Sequence, residues 1–194
     1  MTEPGRFEDR RFSGDELPPG ELAGARFSDC MFADCDLSGV SLRGSHFSEC
    51  AFERCELSTI DLTDALLHSV TFDGCRLTGV DFGALRRDAI GMVASFDNCE
   101  LSLAAFIDCD LRACSFRSCR LSEAEFRGCD LRKVDLGGSD FVGARFVDND
   151  MRECDLRGAR NYSLSPYENK LLGMRVDLPE ALGLVTALGV RISG

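Results

Sequence analysis

The sequence predicts an all-β solenoid, a square coil wound from five-residue units around an apolar core and closed by a small C-terminal helical cap. Two regularities predict it. Large apolar residues recur every five positions, through Phe7, Phe12, Leu17, Leu22, Phe27, Phe32, Leu37, Leu42 and on without a slip to Phe82, then from Phe96 to Leu156. All fourteen phenylalanines keep this beat, and each of the eleven cysteines stands two residues before one of its members. Above the beat lies a twenty-residue superperiod, Phe-Phe-Leu-Leu, read three times between Phe7 and Leu62. Repetition at a fixed short period identifies a stacked architecture before local propensity is consulted.

A period of five excludes an amphipathic helix, because five residues advance it by about 500° and scatter successive centres around the axis. In an extended segment, residues two apart share one side. Most central Phe, Leu or Met residues follow, by two positions, a small or medium apolar residue such as Ala25, Cys30, Cys35, Val40, Cys50, Cys55 or Ile60. Both side chains then point inward from a short edge, and the polar residues between units form the turn. Four edges per twenty residues make a four-sided coil, in which like residues stack on like at about 4.8 Å, the spacing of backbone pairing.

The same geometry accounts for the cysteines. Eleven in a short secreted chain suggest a disulfide framework. Here Cys30, Cys35, Cys50, Cys55, Cys75, Cys99, Cys109, Cys114, Cys119, Cys129 and Cys154 all take the small inward position, no CxxC pair occurs, and the only histidines are His46 and His68. That set gives zinc no ligand cluster, and the thiols are expected to be reduced, buried and inert. The opening Met1-Thr2-Glu3-Pro4-Gly5-Arg6 carries no signal-peptide pattern and no apolar run is long enough to span a membrane, so a cytoplasmic location is expected.

Units such as Cys35-Asp36-Leu37-Ser38-Gly39 and Cys129-Asp130-Leu131-Arg132-Lys133 resemble the pentapeptide-repeat family, and the resemblance covers residues 5–160 apart from one interruption. It implies a right-handed quadrilateral β-helix, here of about seven coils. Net charge is −11, with 16 acids against 7 bases in residues 1–82 and 14 against 12 in residues 83–160. Such a surplus disfavours nucleic acid and favours basic partners. Part of it is structural: Asp36, Asp61, Asp81, Asp110, Asp130, Asp135 and Asp155 each precede a centre, where a short carboxylate bonds backbone amides at a corner.

The beat fails between Phe82 and Phe96, a step of fourteen. The expected organisation is an N-terminal β-helix subdomain over 1–82 with an irregular first coil, an interrupting loop or kink over 83–93, a C-terminal β-helix subdomain over 94–160, and a helical cap and dimerisation segment over 161–194. Leu85, Arg86, Arg87, Asp88 and Met92 are the candidate partner-contacting residues, since recognition is often carried by loops on rigid scaffolds. Ala84, Ala89 and Ala94 keep five-residue spacing, so part of the coil is expected to persist there. In the first coil Arg10 and Asp15 take inward places and Pro18-Pro19-Gly20 breaks strand pairing, as a terminal repeat must. Beyond Leu156, Ser165-Pro166-Tyr167-Glu168 predicts a capping box opening a short helix to Leu172, and Asp177-Leu178-Pro179-Glu180 opens a second one, running to Leu188 and stopped by Gly189. Leu171, Leu172, Leu182, Leu184, Val185, Leu188, Val190 and Ile192 exceed what capping one coil requires. They are the candidate homodimer interface.

No nucleophile, base and orienter come together, so an enzyme is not expected, and no cofactor, metal, small-molecule substrate, membrane or direct nucleic-acid contact is implied. The break after Gly79-Val80-Asp81-Phe82, the return at Ser95-Phe96-Asp97-Asn98-Cys99, and the tail residues Asn161-Tyr162, Asn169-Lys170 and Leu178-Pro179-Glu180-Ala181 resemble the quinolone-resistance and albicidin-immunity pentapeptide proteins. That resemblance implies a DNA mimic that binds a type II topoisomerase, DNA gyrase, and protects it from such poisons. A rod of about 35 Å, doubled by a cap-to-cap dimer, approaches the length of about twenty base pairs. The competing expectation is an interaction scaffold with no topoisomerase role.

Overall fold

The computed structural model describes residues 5–14 and 22–191. A five-residue unit leaves about three residues for an edge once its turn is made, and the strands have that length. They are β1 (Arg6–Glu8), β2 (Arg11–Ser13), β3 (Arg26–Ser28), β4 (Met31–Ala33), β5 (His46–Ser48) and β6 (Ala51–Glu53). β7 (Leu66–Asp73) runs around a corner and serves two faces. A 3-10 turn at Phe82–Ala84 precedes β8 (Val93–Asp97), β9 (Ala105–Ile107), β10 (Ala113–Arg117), β11 (Glu125–Arg127), β12 (Arg145–Val147) and the helix α1 (Ala181–Ala187).

Every named pairing is parallel and joins a strand to its equivalent one coil away. Phe7, Phe27, Phe47 and Leu67 are in register on one face, and Phe12, Phe32, Phe52, Phe72, Phe96 and Phe116 on the next. Isolated bridges from Asp36 through Glu56, Arg76, Glu100, Arg120 and Asp140 to Arg160 make the third face. Phe106, Phe126 and Phe146 lie on the fourth. Arg11, Met31, Ala51, Thr71, Ser95, Ser115, Asp135 and Asp155 climb one face in seven steps, and Arg175 of the tail adds another. Seven steps of about 4.8 Å give a rod near 34 Å. The four-sided solenoid is therefore the fold, as its superperiod requires.

Inside, the phenylalanines form ladders. The rings of Phe12, Phe32, Phe52, Phe72, Phe96 and Phe116 stack at 4.5–5.1 Å between centroids, and Phe82, Phe106, Phe126 and Phe146 at 4.7–4.9 Å. Neighbouring ladders meet edge to face, as Phe106 does with Phe116 at 5.3 Å, which suits the ring quadrupole. The thiols do more than fill corners. Those of Cys55, Cys75, Cys99, Cys119 and Cys129 donate to the carbonyls of Phe32, Phe52, Phe72, Phe96 and Phe106 in the coil below, at 3.1–3.3 Å. At the same kind of site Ser139 donates to the Phe116 carbonyl at 3.0 Å and Asn149 to that of Phe126 at 2.9 Å. These polar residues depart from the apolar pattern of the inward position, and their hydrogen bonds make them tolerable in the core.

The aspartates before each centre act as expected. Asp36, Asp61, Asp81, Asp110, Asp130, Asp135 and Asp155 each accept from the amide two residues on, at 2.9–3.2 Å. Among the described residues the corners also hold seventeen non-glycine residues at φ between 49° and 65°, Thr59 and Leu103 among them. That conformation is unfavourable for an L-residue by about 1–2 kcal/mol, and it persists because ladder bonds on both sides fix the corner.

The tail corrects one expectation. Pro166–Glu168 form a turn rather than opening a helix to Leu172. Asn169 points inward, its amide donating to the Phe146 carbonyl at 2.9 Å, and Lys170 pairs with Asp150 as the next coil edge. A waiting ladder outweighs an isolated helical turn, whose nucleation is unfavourable. The second helix forms as α1, with Gly189 at φ 80° beyond it. Asp177 does not cap it, however, because its carboxylate accepts from the Gly158 amide at 2.8 Å. In the first coil Phe12 is buried with the Arg10 guanidinium 5.8 Å from its ring centroid. Asp15, Leu17, Pro18-Pro19-Gly20 and Ile192 lie outside the described residues.

Candidate partner-binding surface

The interruption ejects a short segment without breaking the core. Ladder partners lie twenty residues apart elsewhere but twenty-four apart across it, Arg76 with Glu100 and Asp81 with Ala105. Arg87 stands on the beat yet is exposed. Met92, five residues later, is only 8% exposed and belongs to the core cluster. Its carbonyl accepts the Cys114 thiol at 3.3 Å, as Phe72 accepts Cys99 and Phe96 accepts Cys119. Met92 thus supplies the apolar centre that Arg87 cannot, and residues 87–90 leave the coil just after Arg86, whose amide keeps the ladder bond to Ala65. The signal was available, since Met92 is also on the original beat from Phe82. The following step to Phe96 is one residue short, and it appears as the register shift between His68 and Val70 where β7 pairs with β8.

The ejected segment is held in a defined shape. Asp88 accepts from the Ile90 and Gly91 amides at 3.0 and 2.9 Å, and its other oxygen lies 3.0 Å from His68 Nε2. The Gly91 amide above all, with further help from His68, holds the Asp88 carboxyl below its ordinary range. The Arg86 amide donates to the Ala65 carbonyl at 2.9 Å and Leu85 packs against the core. Arg87 lies 3.5 Å from Asp108. Of the candidate contact residues, Arg86, Arg87 and Asp88 are therefore surface groups, while Leu85 and Met92 support them from within. Ala84 and Ala94 remain near the coil, but Ala89 is exposed and leaves it.

Charge is sorted by column, which a count over half the chain conceals. Asp9, Asp29 and Glu49 occupy one corner on successive coils, and none has an ion-pair partner among the described residues. Arg26 and His46 follow Arg6 in register on the adjoining face, Leu66 comes next, and Arg86 takes the place one coil above Leu66. In the C-terminal half of the solenoid most acids are neutralised locally, with Asp97, Glu123 and Asp148 the exceptions among the described residues. Arg112, Arg132, Arg152 and Arg157 each fork onto the aspartate two residues earlier, with Nη2 at 2.6–2.7 Å from a carboxylate oxygen. These guanidiniums hold Asp110, Asp130, Asp150 and Asp155 below the usual carboxylate range. The motif is legible once sought: Asp, Leu or Met, then Arg.

One cysteine departs from expectation. Cys109 is half-buried, while the other ten are buried, and all eleven are free. Burial pushes Cys35 and Cys50 up to about 11, and Cys114 and Cys154 up to about 12. Alkylation at pH 8 is expected to modify Cys109 first and to reach all eleven only after denaturation without reductant. Rapid native labelling of several cysteines would contradict this core. At the cap, Leu171 and Leu184 are half-buried against the core, whereas Leu172 is 80% exposed and Leu182, Leu188 and Val190 are exposed with it.

Among the described residues no helix is long and apolar enough to cross a membrane, and no group of three or more His, Cys, Asp or Glu could hold a metal ion. The profile of pentapeptide repeat regions matches residues 25–86 and 92–160. Its gap, residues 87–91, overlaps the ejected segment. The chain belongs to the pentapeptide-repeat family. Among solved structures it is similar to a trypsin-treated variant of QnrB1, a plasmid-mediated fluoroquinolone resistance protein, at 23% identity and a TM-score of 0.56, covering 97% of this chain and 100% of that one. It is also similar to HetL, a pentapeptide repeat protein involved in heterocyst differentiation regulation from the cyanobacterium Nostoc, at 15% identity and a TM-score of 0.51, covering 87% of this chain and 81% of that one. A search of curated proteins found no match.

Proposed function

We propose that this chain is a non-catalytic, DNA-mimicking binding protein that engages a type II topoisomerase, DNA gyrase, and protects it from inhibitors such as quinolones or albicidin-like poisons. The observation that carries the reading is the uneven neutralisation of acid along a rod of fixed pitch. Asp9, Asp29 and Glu49 stand on one corner without an ion-pair partner among the described residues, while Asp110, Asp130, Asp150 and Asp155 are forked by arginines. The end distant from the cap thus presents the field that a basic DNA groove attracts. The likeness to QnrB1, named for fluoroquinolone resistance, supports the same reading. A cytoplasmic setting goes with it. In a supercoiling assay with purified gyrase and a quinolone or an albicidin-type poison, the protein is expected to restore activity and reduce cleaved DNA. Association should weaken steeply as salt rises. No protection at any concentration would favour the alternative, an interaction scaffold with no topoisomerase role, for which the likeness to the regulatory protein HetL speaks.

The exposed Leu172, Leu182, Leu188 and Val190 support a second proposal, a homodimer joined through the caps. Leu188→Asp combined with Val190→Asp is expected to halve the mass found by light scattering. A monomeric full-length parent would remove the cap dimer and the doubled rod with it.

A further inference from the structure

Between the ejected segment and the coil above it lies a pocket of about 230 Å3. Its inner wall is apolar, made by Phe82, Leu85, Met92 and Ile107, and the half-buried Cys109 is part of the same lining. Arg86 and Arg87 line it on the side of the ejected segment. The nearby acids are already committed. Asp88 is bound by the Ile90 and Gly91 amides and by His68, and Asp110 is forked by Arg112. Asp108 lies 3.5 Å from Arg87, and Arg86 has no ion-pair partner among the described residues. The uncommitted charge at this pocket is therefore positive, on a chain whose net charge is −11.

We propose that this pocket binds a small aromatic carboxylate, its ring against Met92 and Ile107 and its carboxylate on Arg86. Three observations carry the assignment. The volume lies below the roughly 300–1,000 Å3 typical of drug-sized sites, which restricts the body to one or two fused rings. The apolar wall rewards burial of a ring, and Met92 and Cys109 offer polarizable sulfur to its edge. A guanidinium without an ionic partner suits a planar carboxylate, to which it donates two parallel bonds. The proposal does not depend on any topoisomerase role, and it adds a ligand class that the repeat pattern did not suggest.

The test uses the full-length protein with 2-naphthoate and its neutral counterpart 2-naphthamide as probes, titrated by calorimetry. Saturable binding of 2-naphthoate is expected, at least about tenfold tighter than that of 2-naphthamide, as a charge-assisted pair would give. Arg86→Glu, at an exposed side chain, should erase that preference while leaving the far-ultraviolet spectrum unchanged. Saturating 2-naphthoate should also slow alkylation of Cys109, which places the probe in this pocket. Equal affinity for the two probes would overturn the assignment, as would binding indifferent to Arg86→Glu or an unprotected Cys109. Absence of saturable binding would overturn it too, and would leave the pocket to a side chain of a protein partner.

Discussion

Phe116→Ala is expected to destabilise the protein by about 3–5 kcal/mol, the range for truncating a buried aromatic residue to alanine. The Phe116 ring is fully buried, stacks on Phe96 at 4.9 Å and meets Phe106 and Phe126 edge-on at 5.3 and 6.1 Å. A cavity there has little means of closing. The coils on either side are fixed at their spacing by backbone ladders, so neighbouring rings cannot move in along the axis. Cys119→Ala removes one sulfur and one weak bond to the Phe96 carbonyl, and should cost only about 1 kcal/mol. Phe7, half-buried at the terminal coil, should cost less than Phe116, because its surroundings can relax into solvent. Urea midpoints for the three variants check the order. A Phe116→Ala variant no worse than Cys119→Ala would mean that the ladder of rings is not the source of stability.

How much of this was legible in the sequence follows from which interactions are local. Two apolar residues spaced two apart, every five residues, leave one geometry for the edge, and the superperiod leaves one number of edges per coil. The backbone bonds of Asp36, Asp61 and Asp81 were equally readable, since donor and acceptor lie two residues apart. Contacts between coils were harder. Asn149 and Asn169 look like surface residues until each is placed one coil above a carbonyl, Phe126 or Phe146, that needs a donor. The helix expected at Ser165 lost to that inter-coil pairing. The column of Asp9, Asp29 and Glu49 emerges only when residues are compared at twenty-residue spacing, because summing charge over half the chain mixes the acids of one corner with the cations of the next face. At the interruption both Arg87 and Met92 stood on the beat, and only the burial of Met92 decides which one re-enters the core.

Excising residues 86–90 is expected to abolish protection of the topoisomerase while leaving the fold intact, on the proposed reading of function. The cut follows from the geometry. It places Met92 five residues after Phe82 and puts Leu85, already packed against the core, at the inward position two residues before it. Ladder partners such as Arg76 and Glu100 then lie nineteen residues apart, and the coil closes through the one-residue register shift already present between His68 and Val70. What is lost is the bond from the Arg86 amide to the Ala65 carbonyl, the Asp88 contact with His68 and the Arg87–Asp108 ion pair. Contacts of this kind at a surface contribute about 1 kcal/mol each at most, against a core that stays whole. Thermal unfolding should therefore shift by only a few degrees. Protection demands more than occupying a DNA groove, because an occupant of the groove alone would inhibit the enzyme. Within the solenoid the ejected segment is where the repeat gives way to a shaped surface, and Arg86 and Arg87 differ in sign from the acidic column that a basic groove would attract. A variant without 86–90 should still compete with DNA at high concentration and low salt, through Asp9, Asp29 and Glu49, yet fail to rescue supercoiling from the poison. Full rescue by this variant would reduce the segment to an adjustment of register between coils. The contact that discriminates a poisoned enzyme from a free one would then have to lie on the acidic corner of the first three coils, where Glu49→Gln and Asp29→Asn would be the next substitutions to carry the argument.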